Sequence, residues 1–365
     1  MSKHALLIGD CIERLQELPE SSHQVCITSP PYWNLRDYNG EDKQIGLEES
    51  IEAHLDVLLR VFREVRRVLR PDATLWVNYG DKYEAKELLG LPWRLALALQ
   101  EDDWCLRSDI IWSKPNPMPE GVRDRPTRAH EYLFMLSAGP HYFYDLDAVR
   151  EKTGKESSWE QYEEYLNNCI GSQAGENQRR KDAEILGAAF GDKPGKSITH
   201  PSGRNLRDVW EIPIYGLKEA HFATYPPALV EPCIKAGSSE KGCCSKCGAP
   251  YRRIVEVSGG TIGTGGWHQQ TKEESSIRGQ AKTVSGMDTY SRETTGWEPG
   301  CGCDAGAPIP CKVLDPFGGA LTTALVADRL GRDSTSIELS RDYAAIGASR
   351  LRAEAPLFLN LEVSE

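Results

Sequence analysis

Val313-Leu314-Asp315-Pro316-Phe317-Gly318-Gly319-Ala320-Leu321-Thr322-Thr323-Ala324-Leu325 begins as a short apolar strand, breaks at a turn bearing proline and glycines, and continues as a helix. The helical pattern runs from Thr322 to Leu330, with Ala324, Leu325, Ala327 and Leu330 apolar. A second strand pattern, Ser334 to Ile337, follows and ends on Glu338. Strand, turn, helix and strand in that order predict an α/β unit with its loops at the strand ends. Glycines in such a turn let a ligand approach the backbone, and an acidic residue about 20 positions further on can accept ribose hydroxyls. Asp315 and Glu338 have that spacing. On these residues alone the unit reads either as a nucleoside-type cofactor site or as a purely structural turn.

The same alternation is written at the other end of the chain. His4 to Ile8 is a short apolar strand followed by Gly9-Asp10, and a helical pattern runs through Ile12, Leu15 and Leu18 to Pro19. Val25-Cys26-Ile27 is a strand ending at Thr28-Ser29-Pro30-Pro31-Tyr32-Trp33. Two consecutive prolines stop both helix and ladder, so this segment is a loop at the strand's C-terminal end. Ile51, Leu55, Leu58, Leu59, Phe62, Val65, Val68 and Leu69 keep helical spacing,. Pro71-Asp72 is expected to close that helix and Thr74 to Val77 to form the next strand. A helix over about Pro92 to Gln100, strands Leu106–Trp112 and Tyr132–Leu136 paired as a hairpin, and a last helix over Tyr343–Leu351 complete the pattern. The fold class is α/β.

Composition constrains the partners. The chain has 365 residues, 39% hydrophobic residues and a formal net charge of -11. That balance argues against a nucleic-acid partner unless basic residues gather locally. Arg63, Arg66, Arg67 and Arg70, then Arg123, Arg125 and Arg128, then Arg179, Arg180 and Lys181 are such clusters. No apolar run has the length of about 18 residues that a membrane helix needs, and Met1-Ser2-Lys3-His4 carries no signal-peptide pattern,. The expected location is cytoplasmic, without membrane association. Residues 151–204 are polar and lack apolar periodicity, and 258–295 are rich in Gly, Ser and Thr; both read as insertions. Six of the 11 cysteines lie between Cys243 and Cys311. Cys244-Ser245-Lys246-Cys247 and Cys301-Gly302-Cys303 offer four thiolates to a tetrahedral structural zinc, with Cys243 and Cys311 as substitutes,.

Asp315 to Thr323 resembles the cofactor motif of amino-methyltransferases, D-P-F-x-G-S-G-T-T. Asp315, Pro316, Phe317, Gly319, Thr322 and Thr323 match, Ala320 replaces the serine, and Leu321 replaces the second glycine. A side chain at Leu321 is expected to crowd the methionine moiety or to force a different turn. Ser29-Pro30-Pro31-Tyr32 resembles the catalytic motif of the same family, [D/N/S]-P-P-[Y/F/W], and Gly9-Asp10 resembles its early Gly-Asp. The segment from His221-Phe222-Ala223-Thr224-Tyr225 to Ser238 resembles the helix that precedes the family's cofactor strand.

The resemblance covers roughly 4–150 and 205–352. Catalytic motif first and cofactor motif last is the permuted order of the β group of site-specific DNA amino-methyltransferases, which modify cytosine N4 or adenine N6. It implies a Rossmann-like S-adenosylmethionine-dependent methyltransferase fold. The boundaries are a catalytic half at 1–150, a target-recognition insertion at 151–204, a return helix at 205–240, a Cys- and Gly-rich insertion at 241–311, and a cofactor half at 312–365. Ser29, Pro30, Pro31 and Tyr32 become catalytic. Asp10, Phe222, Ser238, Asp315, Phe317, Gly319, Thr322 and Glu338 become cofactor contacts.

In the family it resembles, members with serine at the first motif position mostly modify cytosine N4 and those with aspartate mostly adenine N6, so Ser29 favours cytosine. The alternatives are an adenine-N6 enzyme of the same fold and an inactive nucleic-acid-binding relative. Pro232-Cys233 and Pro310-Cys311 look like the nucleophile pair of a C5-cytosine enzyme but sit on no suitable strand, and read as structural. Trp112-Ser113-Lys114-Pro115-Asn116-Pro117-Met118-Pro119 resembles loops bordering the target-base pocket. The expected partners are double-stranded DNA and a cognate restriction endonuclease.

Overall fold

The computed structural model describes residues 2–35, 44–151, 204–214, 224–258, 291–354 and 360–365. Their strands are β1 (Lys3–Ile8), β2 (His23–Thr28), β3 (Leu69–Tyr79), β4 (Tyr83–Glu84), β5 (Glu87–Leu88), β6 (Cys105–Ser113), β7 (His130–Ser137), β8 (Val209–Glu211), β9 (Arg252–Ser258), β10 (Ser291–Glu298), β11 (Lys312–Asp315), β12 (Asp333–Glu338) and β13 (Asn360–Ser364). The helices are α1 (Cys11–Glu17), α2 (Ile51–Val68), α3 (Leu91–Glu101), α4 (Pro227–Gly237), α5 (Thr322–Arg329) and α6 (Arg341–Glu354). The chain divides into two units. One comprises Met1–Val149, Arg207–Arg252 and Trp297–Glu365; the other comprises Arg150–Leu206 and Arg253–Gly296.

The first unit is built on a nine-stranded sheet in the order β13-β1-β12-β11-β2-β3-β7-β6-β8. From β13 to β3 all neighbours are parallel, while β7 runs antiparallel to both β3 and β6. The late strand β11 therefore lies between β12 and the early strand β2, with Val313 beside Val25 and Leu314 beside Cys26. Strands buried on both faces read as continuous apolar runs, and every residue of β2 is buried.

Helices cover the sheet through their apolar stripes. Leu58, Val61, Phe62, Val65 and Val68 of α2 pack with Leu75, Val77, Leu91, Leu95 and Leu99. Ser50 caps α2 by accepting the Ala53 N–H, and Asp10 caps α1 by accepting those of Ile12 and Glu13, satisfying donors that a helix start leaves unpaired.

Two details differ from the sequence reading. Strand β3 begins at Leu69 and passes through Pro71, so the proline lies near the strand's start instead of closing the helix, a place where its missing N–H is tolerated. Arg63, Arg66, Arg67 and Arg70 form no free basic face. Arg63 pairs with Asp102, Arg67 with Glu64 and Arg70 with Asp72, and Arg66 donates to the Asp102 and Ala138 carbonyls.

Within the second unit, Glu151 and Arg204 form an antiparallel bridge with two backbone hydrogen bonds and an ion pair at 2.6 Å. The ends of the expected target-recognition insertion thus meet, while its interior and Arg179, Arg180 and Lys181 lie outside the described residues. β9 and β10 form a two-stranded sheet. Among the described residues, no helix is long and apolar enough to cross a membrane.

Candidate active site

Parallel α/β sheets bind ligands beyond the carboxyl ends of their strands. Here adjacent strands end on Asp10 after β1, Glu338 on β12, Asp315 on β11 and Ser29 after β2. Gly9 N–H donates to the Glu338 carbonyl at 3.0 Å, which seats Asp10 beside that strand end.

Asp315 joins the two halves of the motif pattern. Its Oδ1 accepts the Thr28 hydroxyl at 2.7 Å and the Phe317 N–H at 3.1 Å; its Oδ2 accepts the Tyr225 hydroxyl at 2.9 Å and the Thr323 hydroxyl at 2.7 Å. Burial raises its pKa while these four donors oppose the rise. A carboxylate so occupied acts by fixing the turn, and through Thr28 it fixes the strand end that carries Ser29.

Glu338 holds the other side of the turn. Its Oε2 accepts the Gly319 N–H at 2.7 Å, and its Oε1 accepts the Ser340 N–H at 2.9 Å. Burial raises its pKa, against the pull of those two amides. Each carboxylate oxygen has a second lone pair, and Glu338 is only half-buried, so ribose hydroxyls can still reach it. Phe317 is half-buried against the main core. Thr322 is buried, and its hydroxyl accepts from Arg350 at 2.9 Å, tying the start of α5 to α6.

Leu321 departs from expectation. Its φ is 55°, the left-handed region where the family pattern has glycine,. The side chain turns into the core. It is 1% exposed, among Leu6, Ala324, Leu325, Ala344, Ala348 and Leu351. Gly347 leaves it room, since a Cβ there would lie 2.5 Å from Leu321 Cγ. The crowding expected of Leu321 thus gives way to core packing.

Ser238 also departs. It is fully buried, donates to the Ile234 carbonyl at 2.6 Å and accepts from Arg332 at 3.2 Å. Arg332 precedes the first residue of β12, so Ser238 lies at the amino ends of the strands, whereas Glu338 closes β12, whose Asp333 and Glu338 stand about 17 Å apart at about 3.3 Å per residue,. It belongs to the structural end of the sheet, away from the cofactor turn. Phe222 lies outside the described residues.

On the catalytic side, Pro30 is buried and Ser29, Pro31 and Tyr32 are half-buried. Ser29 Oγ is 3.5 Å from the Tyr32 hydroxyl. That hydroxyl donates to Glu131 Oε2 at 2.9 Å, and Glu131 Oε1 pairs with the Lys114 ammonium. Burial, then the Glu131 charge, push the Tyr32 hydroxyl well above its ordinary pKa. Tyr79 meets the Tyr32 ring edge-on at 4.8 Å. Gly80 lies against the same ring, where a Cβ would come within 2.6 Å of Cε2. Behind Tyr79, His54 bridges its hydroxyl at 2.8 Å and Glu48 at 2.7 Å.

Sequence reading missed Glu131, Tyr225 and Gly80. Only a lone carboxylate at the start of an apolar strand hinted at Glu131, and nothing paired it with a tyrosine 99 positions away. The loop from Trp112 is held at Asn116, which exchanges two hydrogen bonds with Ile214. Arg125 stacks on Tyr83 and pairs with Glu120, while Arg123 is exposed. Cys233 and Cys311 are buried, in keeping with structural roles.

The model of the family described as DNA methylase matches residues 23–244. The chain belongs to that family. It is an amino-methyltransferase of the N4/N6 family, with the permuted order of the β group. It is 40% identical to the type II methyltransferase M.Cfr9I of Citrobacter freundii over 262 residues, 64% of this chain and 72% of that one. It is 30% identical to M.SmaI of Serratia marcescens, over 95% of this chain and 90% of that one.

Among solved structures, the PvuII DNA methyltransferase (cytosine-N4-specific) aligns with a TM-score of 0.51 and 16% identity, over 100% of this chain and 95% of that one. A DNA modification methylase of Thermus thermophilus complexed with S-adenosyl-L-methionine aligns with a TM-score of 0.51 and 22% identity, over 99% and 100%. At those identities the likeness bears on the fold, and the methyltransferase architecture is common to all three.

Proposed function

We propose that this DNA methylase transfers the methyl group of S-adenosylmethionine to cytosine N4 in duplex DNA, on a base swung out of the helix. The observation that carries the reading is the Thr28–Asp315 hydrogen bond, which holds the Ser29 loop and the Gly319–Glu338 turn at neighbouring strand ends. Glu338 receives the ribose hydroxyls, Asp10 lies towards the adenine, and Phe317 and the Gly319 backbone border the nucleoside. Phe222 and Thr322 keep their places in the motif pattern, Thr322 as a support through Arg350.

An exocyclic amine is a poor nucleophile because its lone pair is delocalised into the ring. The Ser29 hydroxyl and the Pro30 carbonyl accept its N–H groups and draw the nitrogen towards a tetrahedral form. Pro31 keeps that carbonyl directed and offers no competing donor. The nitrogen then attacks the methyl carbon, the C–S bond breaks, S-adenosylhomocysteine departs, and the surplus proton passes to water. Positioning and preorganised acceptors supply the rate.

Tyr32, clamped by Glu131, Tyr79 and Gly80, presents a fixed ring to the flipped base,. Ser29 in place of aspartate favours cytosine. The exposed Arg123 and the stiff loop before it suit phosphate contacts, 151–204 suits target recognition, and a matching restriction endonuclease is the expected partner.

Incubation with tritiated S-adenosylmethionine and duplex DNA, followed by nucleoside chromatography, tests the proposal. Label is expected in N4-methyldeoxycytidine. Label in N6-methyldeoxyadenosine overturns the choice of base, and no label above background overturns the transfer reaction.

A further inference from the structure

Far from the strand ends that carry Ser29 and Glu338, the two cysteine pairs meet. The sulfurs of Cys244, Cys247, Cys301 and Cys303 all lie within 4.8 Å of one another. Zinc–sulfur bonds of about 2.3 Å would set tetrahedral sulfurs about 3.8 Å apart, so small side-chain adjustments close the cage. Cys243 and Cys311 stand outside it. Their sulfurs turn towards the Pro310 and Ser239 carbonyls.

The surrounding backbone is built to hold this arrangement. The Lys246 and Cys247 amides lie beside the Cys244 sulfur, and the Cys303 amide lies beside that of Cys301. Such amides orient and stabilise metal-bound thiolates. Gly248 closes the first knuckle at φ +70°, and a Cβ there would press on Gln24 at 2.9 Å. The two arms are also tied by backbone bonds, Cys243 to Ile309 at 2.8 and 2.9 Å, and by Ser245 donating to the Ala305 carbonyl at 2.7 Å.

We propose that Cys244, Cys247, Cys301 and Cys303 bind one zinc ion, and that this metal knuckle clasps the amino ends of β2 and β11. The clasp runs through Gln24. Its amide nitrogen donates to the Gly248 carbonyl at 3.0 Å while its amide oxygen accepts the Lys312 N–H at 2.6 Å. Arg70, at the start of β3, donates to the Cys247 carbonyl. The knuckle is thereby fastened to three central strands at the end away from the chemistry. Four thiolates leave no coordination position for water, so the metal is structural. By joining residues separated by about 50 positions, it also removes loop entropy from the unfolded chain.

Metal analysis of full-length protein purified without added metal is expected to give about one zinc per chain. Cobalt exchanged into the site should show the thiolate charge-transfer and tetrahedral visible bands of a four-sulfur centre. Cys247→Ser should lose both, while Cys105→Ser keeps them. If Cys247→Ser does not fold, titration of the native protein with an organomercurial decides the point, since zinc release should require about four thiols. Gln24→Ala should keep one zinc but release it to a chelator several-fold faster and melt several degrees lower. Zinc absent with the four thiols freely reactive, disulfides among them, or bound iron in its place would overturn the assignment. An unchanged release rate in Gln24→Ala would overturn the clasp.

Discussion

The two ends of strands β2 and β11 are built on opposite plans. At the carboxyl ends of β2 and of the nearby strands β1 and β12 sit half-buried groups that the proposed reaction uses: Ser29 and Tyr32, Asp10, and Glu338. At their amino ends sit buried groups whose partners are all within the protein. His23 bonds Thr335, Gln24 bridges Gly248 and Lys312, and Ser238 meets Arg332. Within β2, only Val25 to Thr28 separate the fastening Gln24 from Ser29. On the proposed function, one β-strand carries reacting groups at one end and hydrogen-bonded anchors at the other.

The largest expected effect breaks the two ends apart. Ser29→Ala should lower kcat by about 10²–10³, the scale of losing one preorganised transition-state partner, with an unchanged melting temperature. Methyl-transfer kinetics beside a thermal melt check this, and a fall in both would place Ser29 among the fastening residues.

Thr28→Val sharpens the boundary, because Thr28 serves both plans. It leaves a buried Asp315 oxygen short of a donor, at a cost of about 2–3 kcal/mol. The urea midpoint should fall with the m-value unchanged, and methyl transfer should weaken as the Ser29 loop loosens.

Leu321→Gly tests whether the αL residue of the cofactor turn belongs to the core. Lost packing should cost about 2–4 kcal/mol, and release of the left-handed strain should return about 1–2 kcal/mol. A net loss of stability with an unchanged Kd for S-adenosylmethionine is expected by denaturant titration and calorimetry. A tighter Kd would mean that the leucine crowds the cofactor after all.

The smallest effect belongs to the amino end. Burial lowers the pKa of His23 from 6.5 to about 3. The unfolded chain therefore binds a proton near pH 6.5 that the folded chain refuses until about pH 3. Stability is lost as pH falls through that window, by up to about 1.4 kcal/mol per pH unit. His23→Gln should flatten this part of the profile. The difference between wild type and variant in urea midpoints from pH 6.5 to 5.5 measures it, and parallel profiles would remove His23 as the cause.

Much of the proposed site is legible in the sequence. Ser29 to Tyr32, Asp10, Asp315 and Glu338 stand in turns between periodic segments, so strand ends and proline breaks betray them. Glu131 and Tyr225 were not legible, because each acts only through a residue 90 or more positions away. Ser238 was misread because a helix pattern shows that a residue is buried without showing at which end of the sheet.

By itself, the sequence determined the α/β class, the permuted order of catalytic and cofactor segments, and the two cysteine pairs. These depend on periodicity and turn chemistry, which consecutive residues carry. Tertiary structure alone decided that β11 inserts beside β2, that Asp315 binds Thr28, that Leu321 turns inward, and which four of six clustered cysteines converge. Those outcomes depend on strand order and side-chain direction, set by packing among residues tens to hundreds of positions apart.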